Sequence, residues 1–95
     1  MDTNEINSIK NKIKDVLNAY NFKEVIINDD IVYEYKDQYY KVTYVAGLKA
    51  FVLESAENYS DAVINVYEDL DIFPLALGSN NLIEQISKDL KKYYL

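Results

Sequence analysis

The sequence predicts an α+β domain in which an antiparallel meander of three or four strands packs against an N-terminal helix and two C-terminal helices, in the order α-β-β-β-(β)-α-α. Two patterns support this prediction. Apolar residues recur at helical spacing near both ends, and β-branched and aromatic residues alternate with short polar clusters between them. The 95 residues are enough for one core, and no linker or repeat divides them, so we expect a single globular domain over 1–95.

The N-terminal segment is typical of an amphipathic helix. Between Asn4 and Tyr20 one stripe carries the apolar residues Ile6, Ile9, Ile13, Val16, Leu17 and Tyr20. Asp2 or Thr3 can cap its start, and Glu5 completes a capping box with Asp2. Asn21 is suited to the left-handed conformation that ends a helix.

The middle of the chain predicts four short strands, at residues 25–27, 31–35, 39–46 and 50–55. Their connections are short enough for antiparallel hairpins. Alternation along the strands gives one apolar face and one mixed face. We therefore expect helices to cover one side of the sheet and a Tyr-rich second side to stay partly open.

Two helices are predicted after the strands. The first is capped by Asn58 or Ser60 and extends to about Asp71, because a helical stripe contains Ala62, Val63, Val66, Tyr67 and Leu70. Pro74 then favours an extended, half-buried exit. The last helix is capped by Ser79 or Asn80, and its inward residues are Leu82, Ile83, Ile86, Leu90 and Tyr93 or Tyr94.

Composition narrows the possible functions. The chain has a formal net charge of -6, all ten cations are Lys, and His and Cys are absent. Without Arg and with this negative balance, nucleic-acid binding is disfavoured. Without His and Cys, the commonest general base and the commonest transition-metal ligands are missing. We predict a protein that is not an enzyme, with no catalytic residues and no cofactor; its acidity suits a basic partner or serves solubility alone.

The carboxylates at residues 68–71 do not match a known metal loop. Asp69, Leu70 and Asp71, with Glu68 before them, resemble the start of a calcium loop, but the glycine and the distant glutamate of an EF-hand are missing. We therefore predict no metal site. At the end of the predicted helix these acids would oppose the macrodipole, so either lysines neutralise them or they are kept for a partner.

Five tyrosines crowd into residues 33–44, one predicted hairpin. Stacking of bases on such rings needs a positive groove, whereas this hairpin offers only Lys36 and Lys41 beside Glu34 and Asp37. The rings are therefore expected either to pack at the edge of the core or to contact a protein.

The stretch 51–77 resembles small immunity proteins of bacterial polymorphic toxin systems, through FVLESA at 51–56 and YEDLDIFP at 67–74. The resemblance implies an antitoxin that binds its cognate toxin domain, of which a basic nuclease is one kind. The matching positions are Glu54, Glu68, Asp69, Asp71 and Phe73. The predicted partner-binding residues are Glu54, Glu57, Tyr67, Glu68, Asp69 and Asp71, although the acids could equally brace the turn before Pro74.

A second hypothesis is an acidic mimic of nucleic acid, from a phage or mobile element, that inhibits a host DNA-binding enzyme. It predicts carboxylates in two rows over much of the surface rather than in one local patch. The first residues, MDTNEINSIK, lack the cations and apolar run of a signal peptide, and no run approaches the ~20 apolar residues of a membrane span. A cytoplasmic protein is therefore expected.

Overall fold

A five-stranded antiparallel sheet forms the centre of the molecule, as seen in a computed structural model that describes residues 3–95. The elements in chain order are α1 (Thr3–Ala19), β1 (Lys23–Ile27), β2 (Asp30–Tyr35), β3 (Gln38–Val45), β4 (Ala50–Ala56), α2 (Tyr59–Val63), β5 (Glu68–Pro74), a 3₁₀ turn (Leu75–Leu77), α3 (Ser79–Asp89) and a π-helical turn (Leu90–Tyr94). Strands follow one another across the sheet in chain order. The predicted α+β fold is confirmed, with one strand more than predicted.

Helices α1 and α3 cover one face of the sheet and form the main core with it. The fully buried side chains between these layers include Ile9, Leu17, Phe22, Phe51, Phe73, Leu82 and Leu90. Burying each such side chain contributes roughly 1.5–3 kcal/mol. The inward positions predicted for both helices are therefore confirmed, and of the two alternatives at the C-terminus Tyr94 packs on the core while Tyr93 is exposed.

The tyrosines lie mainly on this covered face, so the prediction of an open Tyr-rich side is wrong. Tyr33 and Tyr40 are buried beneath the helices, and Tyr35 stacks on Phe22 with ring centroids 4.4 Å apart. The expected alternation is present, but the helices select the side with the larger rings because it buries more apolar surface.

The opposite face carries only the short helix α2. Ala62 of α2 packs against Ile27, Val32 and Ala56, with Tyr39 and Tyr67 at the margin of this second cluster. Asn58 caps the helix as predicted, its side-chain oxygen accepting the Asp61 N–H at 2.8 Å. A five-residue helix covers little of the sheet, and Ile72 on this face is half exposed.

Left-handed residues close the hairpins. Asn28 and Asp29, and then Lys36 and Asp37, form two-residue loops with φ between 50° and 67°. Such φ values are those of type I′ turns, whose twist matches that of the flanking strands. Asn21 ends α1 with φ 68°, as its sequence position predicts.

The prediction of a helix extending to Asp71 is wrong. Helix α2 ends at Val63, and Asn65 follows in the left-handed conformation, with φ 60°. The N–H groups of Asn65 and Val66 donate to the carbonyls of Ala62 and Asp61 at 3.1 and 2.8 Å, a Schellman motif. The chain then reverses and pairs along β4 as β5.

Helix α3 begins differently from the prediction. Gly78, with φ 83°, precedes it, and Ser79 is its first residue rather than its cap; no side-chain cap bond is formed. The predicted cap of α1 involves Asp2 and the Thr3 side chain, which lie outside the described residues. Within residues 3–95, no helix has the length and apolar character needed to cross a membrane.

The sheet is open between β2 and β3. Three pairs join these strands, Tyr33 with Tyr40, Glu34 with Tyr39 and Tyr35 with Gln38. Beyond Tyr33 the ladder stops, although β2 continues to pair with β1 and β3 continues to pair with β4. We call this opening the β2–β3 gap.

Candidate protein-binding surface

The six predicted partner-binding residues are divided among four environments. Glu54 and Tyr67 lie in a half-buried cluster, Glu68 and Asp69 are exposed on β5, and Glu57 is exposed in the link between β4 and α2. Asp71 of β5 lies opposite Leu53 of β4, on the face of the sheet that α1 and α3 cover. The prediction that the acids of residues 68–71 end a helix is wrong, because they lie on a strand.

Glu54 is neutralised by Lys41, a residue that sequence reasoning did not single out. The Lys41 Nζ lies 3.7 Å from Glu54 Oε2, donates to Asn65 Oδ1 at 2.9 Å, and sits 4.2 Å from the centre of the Tyr67 ring. The Lys41 and Glu54 side chains are each only 19% exposed. Burial, with the Glu54 charge as a smaller cause, raises the pKa of Tyr67. Lys41, Glu54 and Tyr67 therefore stabilise the fold around α2.

The signal that could have revealed Lys41 is its position. It is the one cation inside the predicted third strand and stands on the mixed face. Long side chains at such places lay their aliphatic stem on apolar neighbours and direct the ammonium to an acceptor. Its acceptors come from residues 13 and 24 positions further along the chain, which sequence alone could not identify.

Asp71 is partly buried and faces a second carboxyl group. Burial, together with a hydrogen bond to Asp89, raises the pKa of Asp71 to about 6. Its Oδ1 also accepts the backbone N–H of Ile72 at 2.9 Å. Asp71 thus accepts a backbone hydrogen bond within the last strand, and we assign it a structural role rather than a partner contact.

The remaining acids lie in a segment that also exposes aliphatic side chains. Glu68 and Asp69 are exposed, and among the described residues no cation lies within ion-pairing distance of either. In the same stretch of sequence the exposed large apolar side chains are Val63, Ile64, Val66, Leu70 and Ile72. We call residues 63–72 the acidic–aliphatic segment. The aliphatic part of this segment was not predicted, because the predicted helix would have buried Val63, Val66 and Leu70.

Strand β5 is an edge of the sheet that resists pairing through its backbone. It pairs with β4 alone and bears acids, a register shift at Leu70 and a final Pro74. Charges, bulges and proline are the features by which edge strands avoid adding another strand. Its side chains, rather than its backbone groups, are therefore the contact-forming part of this surface.

No group of three or more acidic side chains within residues 3–95 is placed to hold a metal ion. Comparisons with protein-family models, with curated proteins and with solved structures found no match to this chain.

Proposed function

We propose that this protein is an immunity protein that binds and neutralises a cognate bacterial toxin domain through the acidic–aliphatic segment. The observation that carries the proposal is that one short segment, residues 63–72, exposes five large aliphatic side chains and two carboxylates without a cation partner. A partner that covered these aliphatic side chains would remove their apolar surface from water.

The negative charge of the segment favours a partner with a basic surface. Glu68, Asp69 and Asp71 give it three carboxylates and no lysine. Complementary charge accelerates encounter with a basic domain, and apolar contacts at the centre of the interface supply most of the affinity. A toxin whose active site binds phosphates would present such a basic surface. The immunity protein would act in the cytoplasm, where it protects the cell that makes it.

The surface is more aliphatic than aromatic. Tyr67 is engaged by Lys41, as described above, and the exposed aromatic ring nearest in sequence is Tyr59 of α2, which packs edge-on against Tyr39 at 5.9 Å. Of the predicted contact residues we therefore retain Glu68 and Asp69, and we add the exposed aliphatic side chains of the same segment.

The mimic of nucleic acid is the less favoured function. It requires unpaired carboxylates in extended rows, whereas Lys14 lies 3.3 Å from Glu24 and Lys41 lies 3.7 Å from Glu54. These lysines cancel charges that a phosphate-like row would need. A local acidic surface fits the structure better.

Co-expression with the product of the neighbouring upstream gene tests the proposal. We expect a stable complex and rescue of growth. The double variant Glu68→Lys/Asp69→Lys should lose rescue, whereas Asp15→Lys/Glu84→Lys, with the same change in net charge on the helices, should keep it. A neighbour without toxicity, or equal behaviour of the two double variants, would contradict the proposal.

A further inference from the structure

The β2–β3 gap is bounded by two strands that are each paired on their other side. Asp30 to Val32 pair with β1, and Lys41 to Val45 pair with β4, but the two stretches do not pair with each other. Over these residues β2 and β3 therefore each have one unpaired side, although both are interior strands of the sheet.

Helix α2 is attached to the β1–β2 hairpin beside the gap. The Asn28 side chain at the tip of the β1–β2 hairpin donates to the Val63 carbonyl at 2.7 Å. Ile27 and Val32 of the same hairpin pack with Ala62. The hairpin is thereby fastened to α2 and diverges from β3.

The backbone groups of Val42 and Tyr44 face the gap. In a two-residue hairpin the flanking residues, here Tyr35 and Gln38, exchange hydrogen bonds, and bonding alternates along the strand from there. Even-numbered residues of β3 therefore direct their N–H and C=O groups toward β2. Val42 and Tyr44 lie beyond the end of that ladder and have no ladder partner on this side.

A cavity of about 320 Å³ lies along this edge of β3. It is lined by Lys41, Val42, Thr43 and Tyr44, from the other side by Asp30 and Ile31, and by Lys10 of α1. Successive side chains of a strand point to opposite faces, so four consecutive residues can line one cavity only along the strand's edge.

The two mouths of the gap differ in chemistry. Toward α1, a cavity of about 300 Å³ is lined by the apolar Ile13, Ile31, Tyr33 and Val42 and by the polar Lys10, Asn11 and Lys14. Toward α2, a cavity of about 210 Å³ is lined by the polar Asn28, Asp30, Lys41 and Asn65 and by Ile27, Val32, Ala62 and Tyr67. Both mouths are mixed, but the one toward α1 is the more apolar and the one toward α2 is the more polar.

We propose that the gap accepts an extended segment of the partner protein, which pairs with β3 as an added strand. Every second residue of that segment is apolar and points toward α1, and the residues between are polar and point toward α2. Addition of a strand gains affinity from main-chain hydrogen bonds and selectivity from alternate side chains. The identity of the segment's owner rests on the proposed function; the chemistry of the gap does not.

The edge of β3 is the one that favours pairing. Unlike β5, residues 42–45 contain no proline and no charged residue, and their sequence, VTYV, is rich in β-branched and aromatic residues. The partner contact through β5 side chains and the strand in the gap are therefore separate features of the surface.

Amide hydrogen exchange by NMR tests the gap directly. In the free protein we expect the Val42 and Tyr44 amides to exchange much faster than that of Thr43, which faces β4. An acetylated seven-residue peptide in which valines alternate with threonine and serine, added at millimolar concentration, should slow Val42 and Tyr44 roughly tenfold. The same peptide N-methylated at alternate residues, which removes donors and keeps side chains, should not.

A matched pair of variants locates the effect. Ile31→Lys places a charge in the gap, and Ile26→Lys places it on the directly paired residue of β1; both isoleucines are about half exposed or more. We expect Ile31→Lys to abolish the slowing and Ile26→Lys to preserve it.

Four results would overturn the inference. They are slow exchange of Val42 and Tyr44 in the free protein, no slowing by the peptide, equal slowing by the N-methylated peptide, and equal behaviour of the two variants. None of these results depends on Glu68 and Asp69, so the proposed function is judged separately.

Discussion

Single side chains show how the mixed face of the sheet is stabilised. Lys41 joins three elements because its ammonium contacts Glu54 on β4, Asn65 after α2 and the ring of Tyr67 before β5. A poorly solvated charge costs free energy unless it is paired and hydrogen-bonded. Because the partners of Lys41 lie on β4 and just after α2, this cluster holds α2 on the sheet. Surface pairs elsewhere contribute far less.

Replacement of Lys41 by Met should destabilise the protein by about 1–3 kcal/mol, because Glu54 then lacks its cation in a poorly solvated place. In the double variant Lys41→Met/Glu54→Gln the loss should be smaller than the sum of the single losses. Urea unfolding measures these values. The control Lys88→Met breaks an exposed pair with Glu84, 67% and 64% exposed, and should change stability by less than about 0.5 kcal/mol. Equal losses at the two lysines would contradict the role given to Lys41.

Asp71 should make stability depend on pH in the acidic range. Its folded pKa, about 6, lies above the ordinary 3.8, so the folded state binds more protons than the unfolded state between these values. Stability from this group is then fully present below about pH 4 and is lost as pH rises through 6.

The variant Asp71→Asn keeps an acceptor for the Ile72 N–H and removes the titration. We expect it to be more stable than the parent at pH 7 by about 1 kcal/mol, a modest value because solvent still screens the group. At pH 4 the two proteins should unfold at nearly the same urea concentration. Asp69→Asn, on the exposed side of the same strand, serves as the control. A parent protein whose advantage over Asp71→Asn grows with pH would show that the sign is wrong.

At the scale of elements, the sequence predicts what local periodicity decides. The stripe of α1, the four strands to Ala56 and the stripe of α3 are present in the structure. The end of α2 was not predictable from the stripe, because Val66, Tyr67 and Leu70 suit a strand as well as a helix. Pairing with β4, a contact between distant segments, decides in favour of the strand.

One local signal for the end of α2 was present. Asn65 is among the residues that most readily adopt the left-handed conformation, and Val66 follows it as the Schellman motif requires. Prediction of the candidate surface required this residue to be recognised as the end of α2. A helix through Leu70 would have buried the aliphatic side chains that the strand exposes.

Asn65 therefore offers a test of how α2 ends. Both Asn65→Ala and Asn65→Gly remove the side-chain acceptor of Lys41, but only Ala is strained at φ 60°. We expect Asn65→Gly to be more stable than Asn65→Ala by about 1 kcal/mol in urea unfolding. If Ala were the more stable residue, α2 would continue past Val63 and the strand assignment would fail.

At the scale of the whole molecule, one face of the sheet carries the main core and is open at the β2–β3 gap, whereas the other face is only partly covered. Helices α1 and α3 bury the ring-bearing face of the sheet, while α2 leaves the acidic–aliphatic segment and the β2–β3 gap accessible. With a net charge of -6, the molecule attracts basic domains before contact and repels its own copies.

The central claim is that Glu68 and Asp69 contact a basic partner, and the dissociation constant of the complex with the upstream gene product tests it. For Glu68→Lys/Asp69→Lys the constant should rise by roughly a hundredfold at low salt, and the loss should shrink as salt increases. For Asp15→Lys/Glu84→Lys it should change by less than about tenfold, since that variant alters only the long-range field. Equal constants for the two variants at every salt concentration would contradict the account.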